Sequence, residues 1–419
     1  MTAPIVLVAP AKSYRTADFL KAAETLRIDA IVAGNAPHPL QGDGAPAIAV
    51  DLNDAEAAGS AIATAAPHAA AVIAVDDDGV LAANAAARLL GVRHNPPDAV
   101  AATRDKLAMR RALADAGITQ PGFAAAGPGE VPRAAKTIGF PAVVKPANLS
   151  ASRGVIRVDT TSDAEWAEAK IRALLVAECG VGTDLLLVEQ YVPGDELAIE
   201  GLLVPEGLEV LAVIDKPEPA SGPYFAETFL TTPSRLPEEL QTAAIDLVRA
   251  TCHALGLVAG PVHAEVRITE DGTPHLVEIA ARSIGGLCSR ALSFGFLGEP
   301  LEALILRSAL GRDPRTAAPT KPASGVLMLP VPSSGTFAGL EGAARAAAVS
   351  GIDSLEVTVH EGAEITALPD GTRYVGFVFA SGSNPDAVEA SLRAAAAELT
   401  VVIDGEAVDP LVGQPWAQP

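Results

Sequence analysis

The chain opens with short apolar runs set between helical stretches. Ile5 to Ala9, Asp29 to Ala33 and Ala70 to Val75 read as strands, with a helix over Thr16 to Leu26. This alternation predicts a parallel sheet with covering helices. The third run ends in Asp76-Asp77-Asp78-Gly79. That places carboxylates at the C-terminal end of a strand, where open α/β sheets bind ligands. A helix N-cap with acids in its first turn is the other reading. Asn95-Pro96-Pro97 breaks the pattern, and good helix formers run from Thr103 to Ala116, closing at Gly117.

Beyond Pro121 the pattern is mixed, with strands expected around Ala142 to Lys145, Leu185 to Val192, Leu197 to Val204 and Val262 to Ile268. Arg312 to Pro322 is a linker rich in Pro, Ala and Thr. After it, strands over Gly325 to Leu329, Leu355 to Val359 and Val375 to Ala380 and a helix from Pro385 to Leu399 form an α+β unit. The fold class is therefore multidomain, α/β and α+β: an N-terminal Rossmann-like parallel-sheet domain over 1–100, a central region over 101–315 and a small C-terminal α+β domain over 316–419. A chain of 419 residues has room for these units.

Within the central region, His263 to Ile268 and His275 to Ala280 flank Asp271-Gly272, a two-residue hairpin signal. That turn sets Glu265 directly opposite Glu278. It puts Ala264, Val266, Ile268, Val277 and Ile279 on a buried face, and His263 and His275 on opposite faces. Facing carboxylates are destabilising unless a cation or a shared proton lies between them. An all-oxygen pair suits Mg²⁺ or Mn²⁺, which leave room for water and phosphate oxygens. A solvent-facing hairpin that tolerates like charges is the alternative.

Two further segments carry candidate chemistry. Phe140 to Pro146 is an apolar strand ending in Lys145, followed by Ser150-Ala151-Ser152-Arg153-Gly154. A loop of small hydroxyl residues and glycine can lay N–H groups and hydroxyls against phosphate oxygens, beside a compact lysine charge. A solvated lysine before a polar turn is the competing reading. Leu185 to Gln190 then runs into Tyr191-Val192-Pro193-Gly194-Asp195-Glu196, where carboxylates can accept from an adenine amine or ribose hydroxyls, or simply form a polar hairpin loop.

Composition narrows the classes. Hydrophobic residues make up 49% and aromatics only 4%, so the core must be built from small aliphatic side chains. A net charge of −21 opposes nucleic acid and anionic membrane as partners, so any phosphate ligand depends on a few well-placed cations. Cys179, Cys252 and Cys288 have no metal-ligand spacing and read as buried thiols of a cytoplasmic protein. No run reaches the roughly 18 apolar residues of a membrane span, and no signal-peptide pattern opens the chain.

Taken in order, these segments resemble the ATP-grasp superfamily. The resemblance runs along the whole chain, with its specific motifs between 103 and 286. It implies ATP and Mg²⁺ (or Mn²⁺) as cofactors. Lys106, in Thr103-Arg104-Asp105-Lys106, looks like the first nucleotide lysine and Lys145 like the second, with Ser150, Ser152 and Gly154 as the phosphate loop. By the same resemblance Glu189 meets the adenine amine, Val192 offers backbone to the ring, Glu196 holds the ribose, and Glu265 and Glu278 hold metal.

Phe225-Ala226-Glu227-Thr228 and Glu278-Ile279-Ala280-Ala281-Arg282-Ser283-Ile284-Gly285-Gly286 look most like the dipeptide-forming L-amino-acid ligases. That branch implies carboxylate and amine substrates, amino acids among them, joined through an acyl phosphate. Arg282 and Lys145 would be catalytic, and Glu227, Arg282, Gly285 and Gly286 would meet substrate. Many ATP-grasp enzymes are dimers, so the resemblance admits a homodimer, but no exposed apolar stripe in the sequence identifies an interface and the oligomeric state stays open. Two departures stand out: Ala280 occupies a position where many members place a metal-binding asparagine, which leaves the metal count open, and the phosphate loop has a single glycine. A carboxylase, a ligase with a non-amino-acid acceptor, and a non-catalytic nucleotide sensor are the alternatives.

Overall fold

The computed structural model describes residues 3–11, 13–35, 47–180, 182, 184–218, 222–293, 297–314 and 322–411. Most of the expected linker and the side chain of Cys179 lie outside them.

The first four strands form a parallel sheet in the order Ala47–Ala49, Ala30–Gly34, Ile5–Val8, Ala71–Ala74. Ile5–Val8 is fully buried because helices cover both faces of the sheet, which is why it reads as an unbroken apolar run. The helix expected over Thr103 to Ala116 is instead two, Pro97–Arg104 and Lys106–Asp115. Asp105 between them is extended (φ −127°, ψ 102°), and its carboxylate accepts from the N–H groups of Leu107 and Ala108 at 2.9 Å each. Good helix formers on both sides mask this cap in the sequence. The break puts Lys106 in the first turn of a new helix.

The central region contributes two sheets that face the site. A small antiparallel sheet runs Phe123–Ala126, Leu186–Gln190, Ala142–Pro146, Ile156–Val158, and carries Lys145 and Glu189. The helix Thr161–Cys179 packs on it and starts in a capping box between Thr160 and Asp163. The larger, eight-stranded sheet runs Pro274–Ala280, Gly260–Ile268, Asp195–Val204, Gly207–Lys216, Phe229–Thr232, Ala323–Pro330, Tyr374–Gly382, Ile352–Val357. Phe229 pairs with Leu327, so this sheet continues from the central region into the C-terminal one without an edge. Behind it, the helix Pro385–Ala397 and a second small sheet around Gly335–Glu341 enclose a separate apolar cluster. None of the described helices is long and apolar enough to cross a membrane.

Candidate active site

Glu265 and Glu278 are Cα partners across the hairpin Gly260–Ile268 and Pro274–Ala280. The expected pairing is correct, although the register that gave it is not. Near the turn, Arg267 pairs with His275 and Thr269 N–H donates to Thr273 O, so the loop has three residues with Gly272 left-handed at φ 84°. A bulge at Val277 then adds one residue and restores the partnership of the glutamates. Two one-residue offsets cancel.

The bulge corrects two other expectations. Leu276, rather than Val277, is fully buried in the core. His275 faces the same side as His263, about four strand residues, or roughly 13 Å, away. The carbonyls of Leu276 and Val277 accept from Arg110 Nη1 (3.1 Å) and Nη2 (2.6 Å), so the buried guanidinium satisfies backbone that the bulge withdraws from the ladder.

Arg110 reaches from there to Glu189, the partner of Lys145 on the small sheet. Its Nε meets Glu189 Oε1 at 2.6 Å, and Lys145 Nζ meets Glu189 Oε2 at 2.6 Å. Burial alone would raise the Glu189 carboxyl, but Arg110 and Lys145 overrule it and hold it below its usual range. Burial likewise pushes the Lys145 ammonium down, against the pull of Glu189. Lys106 Nζ donates to Leu149 O at 2.7 Å and lies 3.3 Å from Glu278 Oε1. The two expected nucleotide lysines are therefore both near one expected metal ligand, Lys106 in ion-pair distance of Glu278 and Lys145 close enough to feel its charge.

A third lysine forms the centre of the next cluster. Lys216 Nζ lies 2.7 Å from Glu196, 2.5 Å from Glu227 and 2.9 Å from Glu265. Burial opposes its charge, but the three carboxylates prevail and raise its pKa well above the ordinary lysine value. Arg267 adds Nε to Glu196 at 2.7 Å and Nη1 to the Val192 carbonyl at 2.8 Å. His263 is clamped on Glu200. Burial would lower its pKa, yet Glu200 and Glu265 lift it to about 9. Among the described residues no three His, Cys, Asp or Glu side chains form a metal cage. Glu265 and Glu278 are hard oxygen donors with side chains 20% and 34% exposed, which fits a divalent cation that takes its other ligands from phosphates and water.

Arg282 is held from the N-terminal sheet. Its Nη2 meets Asp77 Oδ2 at 2.8 Å, while Arg104 Nη1 meets Asp77 Oδ1 at 3.0 Å and also donates to Ser150 Oγ at 3.0 Å. Asp76 stands at the N-cap position of the short helix Asp77–Gly79, with Asp77 and Asp78 as its first-turn acids, and the Asp77 carboxylate is taken up by two arginines rather than left facing a ligand. Gly285 has open space where a side chain would stand. At Gly286 (φ 60°) an added Cβ would lie 3.1 Å from the Phe377 ring.

The expected phosphate loop, residues 150–154, is fastened at both ends. Ala151 (φ 58°) and Ser152 (φ 56°) are consecutive left-handed residues, each costing about 1–2 kcal/mol. Arg104 holds Ser150 at the start. At the end, Gly154 N–H donates to Pro369 O at 3.0 Å and Arg153 Nε to Asp370 O at 3.1 Å. The Gly154 amide is therefore taken up by the C-terminal domain.

Residues 138–291 match the ATP-grasp domain family, and residues 327–404 match L-amino acid ligase C-terminal domain 2. The chain therefore carries an ATP-grasp domain over residues 138–291. The crystal structure of an L-amino acid ligase from Bacillus licheniformis superposes with a TM-score of 0.80 at 25% identity, covering 96% of this chain and 100% of that one. The uncharacterized protein y4rH of Sinorhizobium fredii is 32% identical over 68% of this chain and 58% of its own length. Alanine–anticapsin ligase of Bacillus subtilis is 29% identical over 47% of this chain and 44% of its own length. The chain thus spans about half the length of these two curated relatives.

Four cations at this ATP-grasp site escaped the sequence reading: Arg104, Arg110, Lys216 and Arg267. Arg110 lies four residues after Lys106, on the same helix face, a spacing that could have flagged it. Lys216 ends the strand Gly207–Lys216, a position shared with many surface lysines, and its carboxylate partners are distant in sequence. Arg104 and Arg267 gave no local signal, since their partners are distant in sequence.

Proposed function

We propose that this protein is an ATP-dependent carboxylate–amine ligase whose substrates are amino acids. The observation that carries this reading is the approach of Lys106 Nζ to Glu278 at 3.3 Å. A lysine suited to phosphate and a glutamate suited to metal, from a helix and a hairpin far apart in sequence, meet at one point. Lys145 is close enough to feel the Glu278 charge.

In this reading Lys106, Lys145, Ser150 and Ser152 face the phosphates, Val192 lends backbone to the adenine and Glu196 takes the ribose. Glu189 orients Lys145 beside the adenine amine. Glu265 and Glu278 would hold Mg²⁺ or Mn²⁺, whose service is to neutralise phosphate charge. A carboxylate oxygen of the first amino acid attacks the γ-phosphorus, the bond to the bridging oxygen breaks, and ADP leaves an acyl phosphate. The amine of the second attacks the acyl carbon, phosphate departs and the nitrogen loses a proton. Lys145 and Arg282 offset the charge that develops. Glu227 already accepts the Lys216 ammonium, which supports a role in gripping a substrate ammonium, and the open space at Gly285 supports a place for substrate beside Gly286. Cytoplasmic location is proposed from the free buried thiols Cys252 and Cys288.

Glu278→Gln tests the assignment, because it keeps the shape and removes one charge. Turnover is expected to fall with the fold intact by circular dichroism. Unchanged turnover at limiting Mg²⁺ would contradict it.

A further inference from the structure

Asp77 stands on the N-terminal domain, outside both matched domains, in the short helix Asp77–Gly79 that follows the strand Ala71–Ala74. Each of its oxygens is committed to a different part of the site. Oδ2 takes Arg282 at 2.8 Å, and Oδ1 takes Arg104 at 3.0 Å. Arg104 carries the constraint onward to Ser150 Oγ, at the start of the strained pair Ala151-Ser152. Its Nη2 also lies 3.6 Å from Asp78, which is largely exposed.

We infer that Asp77 is a positioning residue: one carboxylate aligns the arginine at the reacting acyl group and the loop at the phosphates, tying both to the rigid N-terminal sheet. A guanidinium free to swing would lose the alignment from which charge stabilisation draws its strength. The sheet is a suitable anchor, since Ile5–Val8, the strand paired with Ala71–Ala74, is fully buried. Arg282 has no other carboxylate within ion-pair distance among the described residues; its Nη1 donates only to its neighbour's carbonyl, Ser283 O, at 3.0 Å. Without Asp77, that local bond would be left to orient it. The two branches are separable. Loss of Arg104 frees the loop alone, whereas loss of the Asp77 charge frees both the loop and Arg282.

The kinetic arm of the test rests on the ligase reading, and the exchange arm does not. In Asp77→Asn, hydrogen exchange at residues 149–155 and 282–285 is expected to quicken about tenfold or more, with Ile5–Val8 unchanged. The same variant should raise KM for ATP and lower kcat, each by about tenfold. Arg104→Gln should raise KM for ATP with kcat within about twofold, and should quicken exchange at 149–155 alone. Asp77→Glu should recover part of both losses. Exchange in Asp77→Asn equal to wild type, or quickened uniformly through the molecule, would overturn the inference, the second outcome marking a merely structural ion pair. If Asp77→Asn does not fold, Arg104→Gln decides: unaltered exchange at 149–155 overturns the relay. A wild-type chain that turns over no ATP defeats the ligase reading, and the exchange results still settle the role of Asp77.

Discussion

At the scale of single residues, the site is a set of charges made tolerable by one another. Lys145 and Glu189 are both buried and lie 2.6 Å apart; their attraction favours both charged forms, prevailing over burial at Glu189 but not at Lys145. Removing one member leaves the other uncompensated in a medium that solvates it poorly. Lys145→Ala therefore acts in two ways. It is expected to weaken ATP binding at least tenfold, measured by calorimetry, and to lower stability by about 1–3 kcal/mol in urea, because Glu189 keeps Arg110 but loses half its compensation. Unaltered nucleotide affinity would count against a phosphate-facing lysine. Lys145 and Glu189 could be found in the sequence because each ends an apolar run. Lys216 could not be told apart from a surface lysine, since what distinguishes it is three carboxylates at residues 196, 227 and 265 that only folding brings together.

At the scale of elements, small departures from regular structure do the placing. The extended Asp105 divides a helix so that Lys106 opens the second half, with its own N–H donating to Ala147 O at 2.8 Å beside the phosphate loop. Asp105→Ala removes the cap that favours this break. We expect it to cost about 1 kcal/mol of stability in a urea titration and to raise KM for ATP. A variant with wild-type stability and wild-type KM would show that the break is held by other contacts. The hairpin teaches a related lesson. Asp271-Gly272 marked the turn correctly, yet the three-residue loop and the bulge at Val277 were hidden, because bulges follow from what the freed carbonyls can bond. Here that partner is Arg110, more than 160 residues away. Local pattern thus located Glu265 opposite Glu278 while misplacing Val277 and His275.

At the scale of the whole molecule, all three parts of the chain converge on the site. The N-terminal domain supplies Asp77, the central region supplies both lysines and both glutamates, and the C-terminal region supplies Pro369 and Asp370 at the end of the loop 150–154. Lys170, on the helix behind that loop, adds an ion pair to Asp370 at 2.6 Å. Alternating runs made the parallel sheet legible, and several strands beyond residue 315 fall where their apolar patterns predict. The continuity of the eight-stranded sheet across residue 315 was not legible, because pairing between Phe229 and Leu327 leaves no trace in local composition. The central claim is the joining of two amino acids at the expense of ATP. Its most direct test is release of ADP and phosphate with ATP and Mg²⁺ across a matrix of paired amino acids, with mass spectrometry of the products. The account predicts a dipeptide formed in step with ADP for at least one pair. ADP release only with other carboxylates or amines, or no release with any pair, would contradict it.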